Sequence, residues 1–199
     1  MPTKKIESSQ EIYQIKVTLL GTRPPIWRRL LVPAELTLGQ LHEVLQVAMG
    51  WENCHLHEFR IGRQRFGVPD PDARLTGAPA CIQERKVHLS DVLHEPGAKA
   101  EYTYDFGDSW EHSILVEKLL PSEPELNYPI CTDGKRHGPP EDCGGLGGYY
   151  NLLEAIHDPE HEEHAEMLEW IGGDFDPEAF SVEDVNRRLT PPQRRRPKA

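Results

Sequence analysis

The chain has 199 residues, a formal net charge of −11 at pH 7 and 37 % hydrophobic residues. This length suits one domain of about 100–200 residues with a core of its own. No apolar run reaches the roughly 18 residues of a membrane span, and residues 1–12 lack the apolar stretch of a signal peptide. The four cysteines form no Cys-x-x-Cys pair, which argues against a secreted disulfide framework. We expect a cytoplasmic protein without a membrane partner.

Residues 11–120 show the patterns of strands and one helix. Apolar side chains at every second position are typical of half-buried strands. The capping box of Thr37 and Gln40, followed by apolar residues at helical spacing, is typical of a helix that ends at Gly50. The predicted elements, in chain order, are strands over 12–19 and 26–32, a helix over 38–49, a strand over 55–61 and a hairpin over 101–120.

This order of elements predicts an α+β fold. We expect a small mixed sheet of two hairpins and a linking strand packed on one helix, in a β-grasp-like arrangement. Residues 121–148 are rich in proline and glycine and predict a loop, whereas residues 149–190 show the capping and spacing of short helices. The sequence thus predicts a single domain over 11–190, with a flexible N-terminus over 1–10 and a flexible basic tail over 191–199.

The charge is spread unevenly along the chain. Residues 1–100 carry 13 basic and 11 acidic side chains, whereas residues 101–199 carry 9 and 22. An acidic half of this kind repels phosphate backbones. Nucleic acid is therefore not the expected partner, and the basic tail is interpreted as a solvated chain end.

Four short motifs stand in a distinctive order: PPIWRR at 24–29, HLHEF at 55–59, YDFGDSWEH at 104–112 and PPEDCGG at 139–145. In these four motifs and their order, the chain resembles the plasmid pRiA4b ORF-3-like family over about 11–190. That family is largely uncharacterised, and some members are labelled as resolvases, which implies association with a mobile element. A serine recombinase needs an activated serine among arginines, and none of the seven serines has such neighbours in the sequence.

Three histidines form the first candidate metal site. His55, His57 and His112 each fall on the side of a predicted strand that also carries apolar residues. If the third strand and the second hairpin share a sheet, these imidazoles converge near Asp105 or Asp108, in a donor set that suits zinc or another transition metal. The alternative is that each histidine forms local hydrogen bonds and both aspartates shape the turn of the hairpin.

A second candidate metal site lies in the proline- and glycine-rich loop. Cys131, His137 and Cys143 are spaced six residues apart, and zinc is the candidate cofactor that would order the loop. The set is one ligand short of a closed zinc site and lacks the short Cys-x-x-Cys spacing. The alternative is that both cysteines are packing residues.

The polar residues of the four motifs exceed what a sheet needs to fold, and a tryptophan lies among them. The predicted binding cluster comprises Arg28, Glu58, Asp105, Asp108, Trp110 and His112. An aromatic wall with a few fixed polar groups is typical of small-ligand and peptide sites. The leading hypothesis is therefore a binding or adapter module for a protein or small-molecule ligand.

Two other functions are considered. The second hypothesis is a metal-dependent, hydrolase-like enzyme, and its ligands would be His55, His57, His112 and Asp108, with Glu58 or Glu111 as general base. The third is a DNA-processing accessory role. The sequence shows no nucleophile beside a base, no paired-acid signature and no nucleotide fingerprint, which favours the binding module over an enzyme.

Overall fold

The structure is a computed structural model that describes residues 11–69 and 80–190. The predicted flexible ends lie outside the described residues. An eight-stranded sheet forms the centre of the fold, in the order β5-β4-β3-β6-β7-β1-β2-β8. The strands are β1 Glu11–Leu19, β2 Ile26–Pro33, β3 His57–Ile61, β4 Gln64–Gly67, β5 Ile82–Gln83, β6 Lys99–Tyr104, β7 Trp110–Pro121 and β8 Ile130–Lys135. β4 and β5 are parallel, and the other neighbours are antiparallel.

Helices pack against this sheet. The helices of the described residues are α1 Leu38–Met49, α2 Leu89–Val92, α3 Gly145–His157, α4 His164–Ile171 and α5 Val182–Leu189, and a 3₁₀ turn covers Glu84–Lys86. None of these helices combines the length and the apolar character needed to cross a bilayer. α1, α3 and α5 contribute to one apolar core together with the strands, through residues such as Leu41, Tyr149 and Val185.

Helix α1 begins and ends where the sequence predicts. The Thr37 hydroxyl accepts the Gln40 N–H at 3.2 Å, and the Gln40 side chain accepts the Thr37 N–H at 3.0 Å. Gly50 follows the helix with a φ of 92°, a left-handed conformation that glycine adopts without strain. The chain therefore turns sharply out of α1 into the loop 51–56, which carries His55.

The α+β class is confirmed, but the sheet has more strands than predicted. The expected loop over 121–148 contains β8, which pairs with β2 and places Cys131 in the core. Its residues, ICTDGK, show no sustained apolar alternation, so periodicity does not reveal this strand. β3 begins at His57, which leaves His55 in a loop rather than in the predicted strand. The β-grasp-like arrangement stays a prediction.

Candidate functional site

The imidazole of His55 lies among three carboxylates. Its Nε2 is 3.0 Å from Asp142 Oδ1, 3.7 Å from Asp105 Oδ2 and 3.9 Å from Glu141 Oε2. Within residues 11–69 and 80–190, one group of three histidine, cysteine or acidic side chains is close enough to share a metal ion. It consists of His55, Asp105 and Asp142, whose ligand atoms all lie within 4.8 Å of one another. We call His55, Asp105, Glu141 and Asp142 the His55 cluster.

Asp105 reaches the cluster from the end of β6. Its N–H donates to Leu56 O at 2.9 Å, which ties the end of β6 to the loop that carries His55. Its Oδ1 accepts the Gly107 N–H at 2.8 Å, so Oδ2 is the oxygen that approaches His55. Asp105 has a φ of 53°, in the left-handed region that aspartate enters more readily than most residues with a Cβ.

Glu141 is held by a buried phenol. The Tyr104 hydroxyl donates to Glu141 Oε1 at 3.0 Å and accepts the Cys54 N–H at 3.0 Å. The Glu52 N–H donates to the same Oε1 at 2.8 Å. Burial and the neighbouring Glu141 carboxylate raise the pKa of Tyr104, so the phenol remains a proton donor at neutral pH. Glu141 Oε2 is the oxygen that lies nearer to His55.

Asp108 forms a hydrogen bond with the loop that carries Glu141 and Asp142. Its Oδ2 accepts the Gly144 N–H at 3.1 Å. At Gly145, an added Cβ would lie 2.5 Å from the Asp108 carbonyl oxygen, so only glycine permits this approach of the two backbones. Asp108, a predicted binding residue, therefore positions the carboxylates of the cluster.

The Nε2 atom of His55 is a buried polar atom without a partner. It is shielded from solvent and makes no hydrogen bond within the described residues, although an oxygen of Asp142 lies 3.0 Å away. The cluster opens to solvent on one side, since the Asp142 side chain is 68 % exposed. A ring nitrogen among carboxylate oxygens, with one open side, is a donor set for a divalent cation that keeps bound water.

His57 belongs to a different network, which the sequence did not predict. Its Nε2 donates to Glu84 Oε2 at 2.7 Å, and its ring stacks on His42 with 3.4 Å between the centroids. His42 Nδ1 accepts the Tyr102 hydroxyl, and His42 Nε2 donates to Asn53 Oδ1, both at 2.8 Å. Burial lowers the pKa of His42 to about 4, so this ring is neutral. We call these five residues the His42 network.

Arg28, Trp110 and His112 are core residues, whereas the predicted binding cluster requires them at the surface. Each is at most 2 % exposed. His112 Nδ1 donates to a backbone carbonyl of β6 at 3.2 Å, and burial lowers its pKa to about 4. Arg28 donates to three backbone carbonyls. The imidazoles of His55, His57 and His112 thus lie in three separate environments and do not converge on one point.

The predicted zinc ligands of the 121–148 stretch are not assembled either. Cys131, His137 and Cys143 provide no shared group of ligand atoms within the described residues. His137 Nδ1 donates to the carbonyl of the next residue at 2.6 Å. Burial raises the pKa of Cys143 to about 12 and also raises that of Cys131. Both thiols therefore stay protonated at neutral pH in the metal-free protein.

Two of the predicted site residues, His55 and Asp105, belong to the His55 cluster. Glu58 instead pairs with an arginine of β4, whose Nε donates to Glu58 Oε2 at 2.6 Å. Sequence reasoning missed Glu141 and Asp142 as neighbours of His55. The available signal was their place in the PPEDCGG motif, directly before glycines that permit a tight approach to another segment.

Comparisons with known proteins identify relatives of unknown function. The chain is 43 % identical over 180 residues to the uncharacterized protein y4hQ of Sinorhizobium fredii (strain NBRC 101917 / NGR234), a match that covers 89 % of this chain and 90 % of that protein. It is similar to the crystal structure of a protein of unknown function, MM3350 from Methanosarcina mazei Go1, with a TM-score of 0.79, 42 % identity and coverage of 88 % of this chain and 97 % of that chain. The family model for plasmid pRiA4b ORF-3-like protein matches residues 11–184, which confirms the resemblance, and the chain belongs to this family.

Proposed function

We propose that the protein is a binding module whose working site is the His55 cluster, and that a divalent metal ion binds in this cluster. The observation that carries the proposal is the environment of His55 Nε2. This atom is shielded from solvent, makes no hydrogen bond within the described residues and has three carboxylate oxygens between 3.0 and 3.9 Å away. A metal ion would give the nitrogen a partner and the carboxylates a common counter-charge.

The charge of the cluster supports a cation at this position. Carboxylates that approach one another repel unless positive charge lies between them. The side chains of Asp105 and Glu141 are only 10 % and 19 % exposed, so water and salt screen them weakly. One imidazole nitrogen with carboxylate oxygens suits Zn²⁺ and Mn²⁺, and the oxygen atoms alone suit Mg²⁺.

The surroundings of the cluster favour a preorganised site. The Trp51 indole N–H donates to Pro139 O at 2.9 Å, and its ring stacks on Tyr104 with 4.9 Å between centroids. Tyr104 in turn holds Glu141. Outer hydrogen bonds of this kind orient metal ligands before the ion binds. The module therefore has a fixed set of donors rather than a flexible acidic patch.

A metal-dependent hydrolase is the second candidate, and the open side of the cluster favours it. A cation beside the exposed Asp142 would keep a water molecule, and a metal ion makes its bound water more acidic. The predicted ligands His57 and His112 lie in other hydrogen-bond networks, and the predicted base Glu58 is paired with arginine. If the protein is a hydrolase, Glu141 rather than Glu58 is the candidate general base. Glu111, the other predicted base, is exposed on β7.

Metal analysis of the purified chain tests the proposal. We expect about one equivalent of divalent metal after purification without chelator, or uptake of Zn²⁺, Mn²⁺ or Mg²⁺ in a calorimetric titration. His55→Ala and Asp105→Asn should each weaken binding by about 100-fold. His88→Ala is the matched control, because His88 and Asp91 form an exposed pair 3.3 Å apart that lies outside the cluster.

The outcomes separate the two candidates. Metal-free protein that takes up none of the three ions at about 1 mM contradicts the site, and so does an equal loss in His88→Ala. Hydrolysis of model esters or phosphate esters that a chelator removes and added metal restores would favour the hydrolase. Metal binding without such turnover supports the binding module.

A further inference from the structure

A cavity of about 420 Å³ lies between the end of α1, the segment after β8 and helix α5. The His55 cluster does not line it. Its wall combines apolar side chains with charged ones: Met49, Phe180 and Val185 are apolar, and Arg28, Arg188 and Asp184 are charged. Such a combination of apolar surface with a few fixed polar groups is typical of small-ligand sites.

Arg28 is a buried cation whose partners are backbone carbonyls. It is 2 % exposed, and its Nε and Nη1 donate to the carbonyls of Ala48, Trp27 and Lys135 at 2.7 to 2.9 Å. Its Nη2 takes part in none of these bonds. The ring of Phe180 covers the guanidinium, with Cζ 4.3 Å from the ring centroid. Buried charges are normally paired with an opposite charge, so this one lacks an anion within the described residues.

Another charged residue of the cavity wall, Arg188, adds to the positive charge of Arg28. Burial, and to a smaller degree the positive charge of Arg188, lower the pKa of Arg28 to about 10, so Arg28 is still protonated at neutral pH. Asp184 is the carboxylate of the cavity wall, and Arg187 Nη2 donates to it at 2.7 Å. The wall therefore carries two guanidinium groups, Arg28 and Arg188, against one carboxylate, Asp184.

We infer that this cavity binds a small organic anion whose carboxylate or phosphate group contacts Arg28 and Arg188. Arg28 keeps Nη2 for this contact, because Nε and Nη1 donate to backbone carbonyls. A guanidinium N–H forms a charge-assisted hydrogen bond with either kind of oxyanion. The cavity falls within the volume range of small-molecule sites, about 300–1,000 Å³. Met49, Phe180 and Val185 provide surface for an apolar part of the ligand.

Calorimetric titration of the full chain with inorganic phosphate and with succinate, in a buffer low in chloride, tests this inference. We expect saturable binding of at least one of the two anions below about 10 mM. Arg188→Gln should weaken that binding by about threefold to tenfold, and Asp184→Asn should strengthen it. Arg63→Gln is the matched control, because Arg63 is exposed and does not line the cavity, yet its loss changes the net charge equally.

The preferred anion shows whether the site takes a phosphate or a carboxylate group. The inference is overturned if neither anion binds, or if Arg63→Gln weakens binding as much as Arg188→Gln. Repeating the titration with His55→Ala separates this site from the metal proposal, because no residue is shared between them. Unchanged anion binding in His55→Ala supports two independent sites, whereas loss of anion binding in that variant contradicts this assignment.

Discussion

Two histidine environments in this protein differ in how their nitrogen atoms are satisfied. In the His42 network both ring nitrogens of His42 have partners, and His57 donates to Glu84. In the His55 cluster, Nε2 has three carboxylates nearby and an aligned hydrogen bond with none of them. The network lies in the core, where Glu84 is 2 % exposed, whereas the cluster reaches the surface through Asp142.

This difference separates a structural set of polar residues from a candidate functional set. A buried polar group without a partner costs about 1–3 kcal/mol, and each such group in a native protein calls for an explanation. The His42 network is built largely on α1, β3, β6 and the 3₁₀ turn, whereas the cluster is built on segments that follow α1, β6 and β8. Ligand-binding residues are concentrated on such loops because a rigid scaffold positions them.

The largest expected effect comes from breaking the His42 network at its buried carboxylate. Glu84→Ala leaves His57 without its acceptor, and we expect the free energy of unfolding in urea to fall by about 3–5 kcal/mol. Glu95→Ala, at an exposed position, should change it by less than about 0.5 kcal/mol. Similar values for the two variants would show that the network does not stabilise the fold.

Acid should weaken the protein through two neutral, buried histidines. Burial lowers the pKa of His42 and of His112 to about 4, from an ordinary value of 6.5. As the pH falls, the unfolded chain therefore binds protons before the folded one does. The stability from these groups is complete above pH 6.5 and is lost progressively toward pH 4. Between pH 6.5 and 5 the two together should reduce the free energy of unfolding by about 3 kcal/mol.

Urea unfolding at several pH values measures this loss. His42→Gln should remove about half of the pH dependence, since one of the two shifted groups is then absent. His88→Gln should change it little, because the His88 side chain is 44 % exposed. A pH dependence that is the same in His42→Gln and in the unmodified chain would contradict the account.

The sequence predicts the regular elements well where side chains repeat with a clear period. Alternation placed His112 on the same face of its strand as Ile114 and Val116, and all three are buried. The same alternation argues against His112 as part of a surface site, and the predicted binding cluster did not take this into account. Here a backbone carbonyl accepts from Nδ1 of this buried histidine, whereas its Nε2 makes no hydrogen bond within the described residues.

The His55 cluster is not predictable in the same way. It joins residues 55, 105 and 141–142, which no periodic pattern connects. Their meeting depends on left-handed backbone at Asp105 and Asp142, with φ of 53° and 56°, and on the close approach of Gly145 to the hairpin turn. These are tertiary features of loops, so the residue types are visible in the sequence and their assembly is not.

The smallest expected effect separates the two regions most directly. Tyr102 and Tyr104 lie two residues apart on β6, and both are fully buried. The Tyr104 hydroxyl holds Glu141 of the cluster, whereas the Tyr102 hydroxyl bonds to His42 of the network. Tyr104→Phe should lower the affinity for the metal ion about tenfold, as the loss of an outer hydrogen bond does. Tyr102→Phe should leave that affinity unchanged and reduce the free energy of unfolding by about 1–2 kcal/mol.

Calorimetric titration and urea unfolding of both variants give four values. Together they show whether the His55 cluster and the His42 network act separately. If Tyr102→Phe and Tyr104→Phe lose metal affinity to the same extent, the cluster and the network act as one unit. If neither loses it, the Tyr104 hydroxyl does not position Glu141. Affinity lost only in Tyr104→Phe would mean that two hydroxyls on one strand serve different purposes, because one satisfies the core and the other orients a carboxylate that the fold leaves for a ligand.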